Sequence, residues 1–416
     1  MTIPNSPTRR WPAAGLRRMV PRDPAEAHRA ASPLELFFDL VFVVAVSFAA
    51  TDLHHLEVRG HLADAVAGYV LVFFAIWWAW VNFTWFATSF DTDDWLYRVT
   101  TFVQMAGVLV LAAGIGPAIE HGDDFVATMG YVVMRLAMVS QWLRAATAHT
   151  RYRRTALEYA VGITVVQVLW VLRVTVLADL ASTLTFLLLV VAELAVPVVA
   201  ERTDTTPWHT RHIAERYSLF TLIVLGEGLV ASANAVIGAL AASERIGPLL
   251  ALAGAGLVIV AAMWWISFAR SQHDRITSLP RALAFGYGHY VVFAAAAAMP
   301  AGIEVAIAAS EGTARLAPAA AAATISVPVA AFVLAVWALA LRPTLGRPTS
   351  ALVVVLTLAA GFSAFLPQLS LVLTAILLAA IVVTLEVADR NRGRGTSGVR
   401  SRGRARAVAP ASSRVS

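Results

Sequence analysis

Long apolar runs separated by short polar segments organise the chain from residue 34 to residue 386. A membrane-spanning helix needs about 20 predominantly apolar residues. On that length the pattern predicts twelve helices: 34–52, 64–88, 97–117, 125–145, 156–177, 181–200, 214–240, 247–269, 281–308, 318–341, 350–366 and 369–386. The fifth and sixth are separated only by Ala178-Asp179, and the last two only by Pro367-Gln368. Such short links predict tight hairpins, with re-entrant segments as the alternative. The ninth contains Pro300-Ala301-Gly302, which is either a plain kink or a break that frees carbonyls to line a cavity. Segments 1–33 and 387–416 are polar and rich in Arg with Pro, Gly, Ser or Ala, so both are expected to be disordered basic tails. Segment 201–213 reads as a polar linker.

Composition turns the pattern into a class. Apolar residues make up 59% of the 416 and charged residues only 14%, against about 25% charged in soluble domains. An all-α, polytopic membrane protein follows. There is no cysteine, which excludes disulfides and thiol chemistry. All 32 basic residues are arginine, and their placement explains the net charge of +6 without a nucleic-acid partner. With the N-terminus cytoplasmic, 27 arginines fall on the cytoplasmic side and three (Arg59, Arg245, Arg315) outside, while Arg135 and Arg173 lie within helices. That asymmetry obeys the positive-inside rule and predicts cytoplasmic N- and C-termini. It also predicts attraction of the Arg-rich tails to anionic lipid headgroups.

Charged residues inside the apolar runs are the candidate chemistry, because one at the bilayer centre costs roughly 2.5–3.5 kcal/mol on insertion scales. Glu35 and Asp39 head the first helix four residues apart, on one face. Glu35 reads as an interfacial acid that suits the positive end of the helix dipole. Asp39 lies deeper, and is either wetted by headgroups, an ion or proton site, or a lock to a buried arginine. Glu227, between Gly226 and Gly228, is expected near mid-membrane. Arg135 is expected to face Glu193, Glu227 or Asp39. His289 and Glu304 in the ninth helix complete the candidates; His289 is either a proton shuttle or a hydrogen-bonded interhelical histidine. Trp77, Trp78, Trp80, Trp264 and Trp265 read as an aromatic belt at helix ends.

Two landmarks recur. Glu215 follows Glu35 by 180 residues, each heading an aromatic-rich apolar run, and Trp264-Trp265 follows Trp77-Trp78 by 187. Near-equal spacing predicts a duplicated six-helix unit, 34–200 and 214–386. Because six is even, the copies would be parallel, and sites in such folds lie between the halves.

Glu35-Leu-Phe-Phe-Asp39-Leu-Val-Phe-Val, Trp77-Trp78-Ala-Trp80, Glu215-Arg216-Tyr217-Ser-Leu-Phe220 with Leu225-Gly226-Glu227, and Trp264-Trp265 together resemble the bacterial low temperature requirement protein A (LtrA) family. The resemblance spans roughly residues 32–310; residues 311–386 resemble the family only in being apolar. The chain departs from the family pattern at Gly228, where Ser is expected, and at Ala269-Arg270, where an Asp is expected. The resemblance implies a multi-pass protein of the bacterial inner membrane and no defined reaction. More loosely, Phe37-Phe38-Asp39-Leu40-Val41-Phe42 is similar to the first-helix opening of a two-repeat potassium-channel family, without that motif's serine.

Enzyme motifs are missing: there is no Gly-x-Ser-x-Gly, His-Glu-x-x-His, P-loop or dinucleotide fingerprint, so neither catalysis nor a cofactor is expected. His54, His55, His61 and Asp52 have no specific metal spacing. The expectation is a transporter or permease for a small solute or ion, with Asp39, Glu227 and Arg135 setting charge coupling. The alternatives are an ion channel or a non-transporting membrane stress or scaffold protein.

Overall fold

A computed structural model describes residues 15–23, 26, 30–177, 182–202, 204–241, 246–270 and 276–406. These residues form helices α1 (Pro33–Val58), α2 (Leu62–Phe90), α3 (Trp95–Ala113), α4 (Ile115–His121), α5 (Phe125–Ala148), α6 (Arg153–Thr175), α7 (Thr183–Ala200), α8 (Thr210–Ala241), α9 (Ile246–Phe268), α10 (Leu279–Glu311), α11 (Pro318–Val336), α12 (Arg347–Phe362) and α13 (Pro367–Arg406). No strand occurs among them. Twelve spans are long and apolar enough to cross a bilayer, with α3 and α4 joined as one, Trp95–His121. Each of the twelve expected helices coincides with one span. Residues 178–181, which join the fifth and sixth, lie outside the described residues, as do Arg9, Arg10, Arg29, Arg245, Arg275 and Arg414.

Local sequence sets the helix starts. Ser32 caps α1, with Pro33 at the first helical position. The Ser32 hydroxyl accepts from Glu35 N and the Glu35 carboxylate accepts from Ser32 N, a reciprocal capping box. Asp94 caps α3 by accepting from Tyr97 N at 2.9 Å.

By packing, the chain forms two compact units: Met1–Val224 with Gln272–Tyr290, and Leu225–Ser271 with Val291–Ser416. The division falls inside α8 and α10. These units are defined by contacts, whereas the expected duplication is a relation between sequences.

The first unit contains a glycine seam. A methyl group on Gly130 of α5 would fall 2.3 Å from Leu111 N of α3, and one on Gly114 would fall 2.2 Å from Ala127 N. One on Gly107 would meet Met134 Cγ at 2.7 Å and Gly130 O at 2.9 Å. The two antiparallel backbones therefore touch directly, the close approach that small residues permit between membrane helices.

Four expectations change. First, the N-terminal tail is docked rather than free over residues 15–23. Met19 is fully buried, Arg17 N donates to Asp94, Arg18 Nε to Ala148 O and Arg22 N to Ser89 O. Second, α13 continues as helix to Arg406, beyond the expected boundary at 386. Trp265 Nε1 holds Glu386 at 3.0 Å and Arg270 holds Asp389 at 2.5 and 2.6 Å, which fastens the helix past the apolar run. Third, of the two readings of Pro300-Ala301-Gly302 the break is removed and the plain kink is left, since α10 is unbroken through Pro300. Gly302 serves close packing, since a methyl there would fall 2.4 Å from Thr324 O. Fourth, Trp77, Trp78 and Trp80 are buried well inside α2, which runs on to Phe90, and only Trp264 and Trp265, each 44% exposed, suit an aromatic belt.

Candidate functional site

The first unit encloses two clusters of charged side chains. In one, α1 contributes Glu35 (1% exposed) and Asp39 (0%), one helical turn apart. Facing them, the start of α8 contributes His212 and Arg216, also one turn apart and both fully buried. Arg216 Nη2 donates to Asp39 Oδ1 at 2.5 Å, and its Nη1 lies 3.5 Å from Glu35 Oε1. His212 Nε2 lies 3.1 Å from the same Glu35 oxygen. From α2, Trp80 Nε1 donates to Asp39 Oδ1 at 2.7 Å, and Thr84 Oγ1 lies 3.5 Å from Arg216. The Arg216 guanidinium stands 5.9 Å from the centre of the Trp80 ring, which stacks on Phe220 at 4.5 Å. Aromatic surface thus shields the ions from lipid on this side.

The cluster's charges do not balance. Two carboxylates face one permanently charged guanidinium, so the set is neutral only when one further proton resides on His212, Glu35 or Asp39. The neighbouring His209 is engaged away from the carboxylates: its Nδ1 accepts from His212 N at 3.2 Å and its Nε2 lies 2.7 Å from Glu26 O. Glu215 points elsewhere, accepting from Ala31 N at 3.3 Å.

The second cluster is closed. Arg135 of α5 and Glu193 of α7 pair at 2.9 Å, both fully buried. Glu193 also accepts from Trp78 Nε1 at 3.0 Å and from Gln167 Nε2 of α6 at 2.7 Å. One cation meets one anion, and four helices are tied at a single carboxylate.

The other sequence candidates sit elsewhere. His289 is buried with Nδ1 2.7 Å from Phe285 O of its own helix, and its ring packs on Tyr217 and Phe285. It therefore bonds within α10 rather than only across helices. Glu227 and Glu304 lie in the second unit and are half-buried. Gly226 has open space beside it, while Gly228 is crowded by Met299 and Val260. Glu35 corrects the interfacial reading: it caps its helix, but its side chain is enclosed because His212 and Arg216 cover it. Of the three partners expected for Arg135, Glu193 is the one it meets.

The principal residue missed is Arg216, together with His212, Trp80, Trp78 and Gln167. Arg216 counts among the topology-setting arginines in the sequence, yet it is the counter-ion of Asp39. The signal was present: Glu35 and Asp39 four residues apart on one helix, His212 and Arg216 four apart on another.

Outside the spans, two carboxylates are shifted. Burial pushes the Glu201 carboxyl up. For Asp94 burial pushes the same way, but hydrogen bonds from Arg144 and from the Tyr97 and Arg17 amides outweigh it and hold the carboxyl below its ordinary value.

Twelve helices long and apolar enough to cross a bilayer among the described residues, with buried and mutually paired charges in the first unit, define a multi-pass membrane protein. The chain belongs to the bacterial low temperature requirement A protein (LtrA) family, whose sequence profile matches residues 30–387. The match extends beyond the 32–310 region expected and includes the segment that seemed similar only in being apolar. A relative in Rhizobium meliloti (strain 1021), described as an uncharacterized protein, is 29% identical over 277 residues. That alignment covers 61% of this chain and 64% of the relative. The chain therefore spans less than two thirds of the relative's length.

Proposed function

We propose that the protein is a non-enzymatic, proton-linked permease for a small solute or ion in the bacterial inner membrane, with its basic termini cytoplasmic and against anionic lipid. The observation that carries this reading is the charge imbalance of the Glu35–Asp39–Arg216–His212 cluster. A net charge enclosed at membrane depth is unfavourable, so a site with one acid in excess takes up one proton and releases it when the surroundings change. Coupling a solute to that exchange needs no metal or cofactor, only a change in exposure of Asp39. The duplication expected from the spacing of Glu35 and Glu215 and of the tryptophan pairs would suit this reading, because parallel repeats build permeases that alternate about a central axis.

The test is reconstitution into liposomes carrying an internal pH dye, with a screen of solutes for solute-dependent proton movement. The expected result is coupled flux that Asp39→Asn abolishes while the protein keeps its helicity and elution volume. Flux indifferent to the proton gradient, or coupling retained by Asp39→Asn, sinks the reading. Steady single-channel currents would instead favour the channel alternative. The closed Arg135–Glu193 pair favours a second reading, a membrane scaffold whose buried charges fasten helices. On that reading neutralising any buried charge lowers thermal stability and no solute moves. Orientation is accessible directly: the chain has no cysteine, so a single cysteine placed in either tail is the only thiol an impermeant reagent can find.

A further inference from the structure

A cleft in the first unit borders the Arg135–Glu193 cluster through Trp78 and shares no residue with the Glu35–Asp39–Arg216–His212 cluster. It is lined by Trp85, Trp142, Tyr159, Trp208, Tyr287 and the carboxylate of Glu201, among others. Several of the polar ends of these rings are already engaged. Trp85 Nε1 donates to Tyr217 Oη at 3.1 Å, Tyr287 Oη donates to Leu194 O at 3.2 Å, and Tyr159 Oη donates to Glu201 Oε1 at 3.0 Å. What lines the space is therefore mostly aromatic surface. Among the described residues no arginine lines it, and Glu201 is the one charged group that does.

Glu201 is held as an acceptor. Thr206 N donates to Oε2 at 2.7 Å and the Thr206 hydroxyl donates to Oε1 at 2.8 Å. With Tyr159 that makes three donors on one nearly buried carboxyl; they favour the ionised form and oppose the upward push of burial. Arg202, the next residue, is exposed to solvent and does not line the cleft. The free space is compact, a cavity of about 40 Å³, which is more than a single water needs.

We propose that this cleft binds a small organic cation with an alkylated ammonium group, held by the aromatic rings and by Glu201. Ring faces attract such cations through their quadrupole, a preference neutral molecules of the same shape do not share. A buried carboxylate with no cationic side chain beside it among the described lining residues adds the same sign of selectivity. The cleft lies where α7 ends and α10 begins, and the two sources of such a cation to distinguish are a lipid headgroup amine and a free solute. The inference concerns binding alone and does not depend on coupled transport.

The experiment uses the full chain in a nonionic maltoside. Tryptophan fluorescence is followed as tetramethylammonium chloride is added at constant ionic strength, with neopentyl alcohol as the neutral probe of equal shape. Saturable binding of tetramethylammonium, about tenfold or more tighter than the alcohol, is expected from the cation–π contribution. Glu201→Gln and Trp208→Ala are each expected to weaken it about fivefold or more, and Trp208→Phe to restore most of it. Circular dichroism and gel filtration confirm that the variants fold; Trp208→Phe serves if Trp208→Ala does not. Absence of saturable binding, equal affinity for the alcohol, or wild-type affinity in both Glu201→Gln and Trp208→Ala overturns the proposal. In nanodiscs, loss of tetramethylammonium affinity on replacing phosphatidylglycerol by phosphatidylcholine assigns the site to a lipid headgroup. Unchanged affinity assigns it to a free solute, and both outcomes support the cation site.

Discussion

The two charge clusters of the first unit use the same ingredients to different ends. Around Glu193, one arginine, one carboxylate and two neutral donors close on each other. Around Asp39, two carboxylates share one arginine and one histidine. The closed cluster sets one cation against one anion, whereas the other sets two acids against one permanent cation. A buried pair that balances fastens helices and does nothing else. A buried set in excess by one acid fastens helices and must also carry a proton. Counting charge against charge separates the two clusters more sharply than burial, since both are equally enclosed.

Breaking the closed pair should have the largest effect. Arg135→Met leaves Glu193 unpaired and is expected to destabilise by about 3–5 kcal/mol, measured as a loss of thermal or denaturant stability in mixed micelles. The double replacement Arg135→Met with Glu193→Leu should recover most of that loss; if it does not, the pair is more than a lock.

The overcharged cluster predicts an asymmetry instead. Arg216→Met, which strands two acids, should cost about 3–5 kcal/mol, whereas Asp39→Asn, which leaves the balanced Glu35–Arg216 pair, should cost only about 1–2 kcal/mol. Equal losses from the two variants would remove the distinction drawn between the clusters.

Asp94 provides a third comparison, at the membrane boundary. It caps α3 and holds Arg144 through both oxygens. Asp94→Asn should lose about 1–2 kcal/mol at pH 7. Because the native carboxyl titrates below its unfolded value, this contribution is complete above about pH 4 and fades as the pH falls further. Wild type and variant should therefore converge in acid. Glu215→Ala, which removes one long hydrogen bond from a half-buried carboxylate, should change stability by no more than about 0.5 kcal/mol.

The spans were legible because hydrophobic length is a local, repeated signal. The docking of residues 15–23 was not, since it rests on backbone amides of Arg17 and Arg22 and a single buried methionine, none of which has a period. The acids of the candidate site were legible as charges in apolar runs, and Arg135 with Glu193 as opposite charges at depth. Arg216 was hidden by a competing explanation, because an arginine near a helix start satisfies the positive-inside rule whether or not it is buried. Trp78 and Trp80 were hidden in the same way, read as interfacial anchors when their indole nitrogens reach Glu193 and Asp39.

The glycine seam between α3 and α5 acts as a mechanical stop. Lipid tails are as apolar as the helices they surround, so hydrophobicity cannot choose one sliding position over the next. Collision can. A slip of one residue would carry a helix about 1.5 Å along its axis and turn it by roughly 100°, driving side chains into backbone at Gly107, Gly114 and Gly130. Met134, which meets Gly107, immediately precedes Arg135. The seam therefore sets how deep the guanidinium sits and which way it faces, before any charge has found its partner.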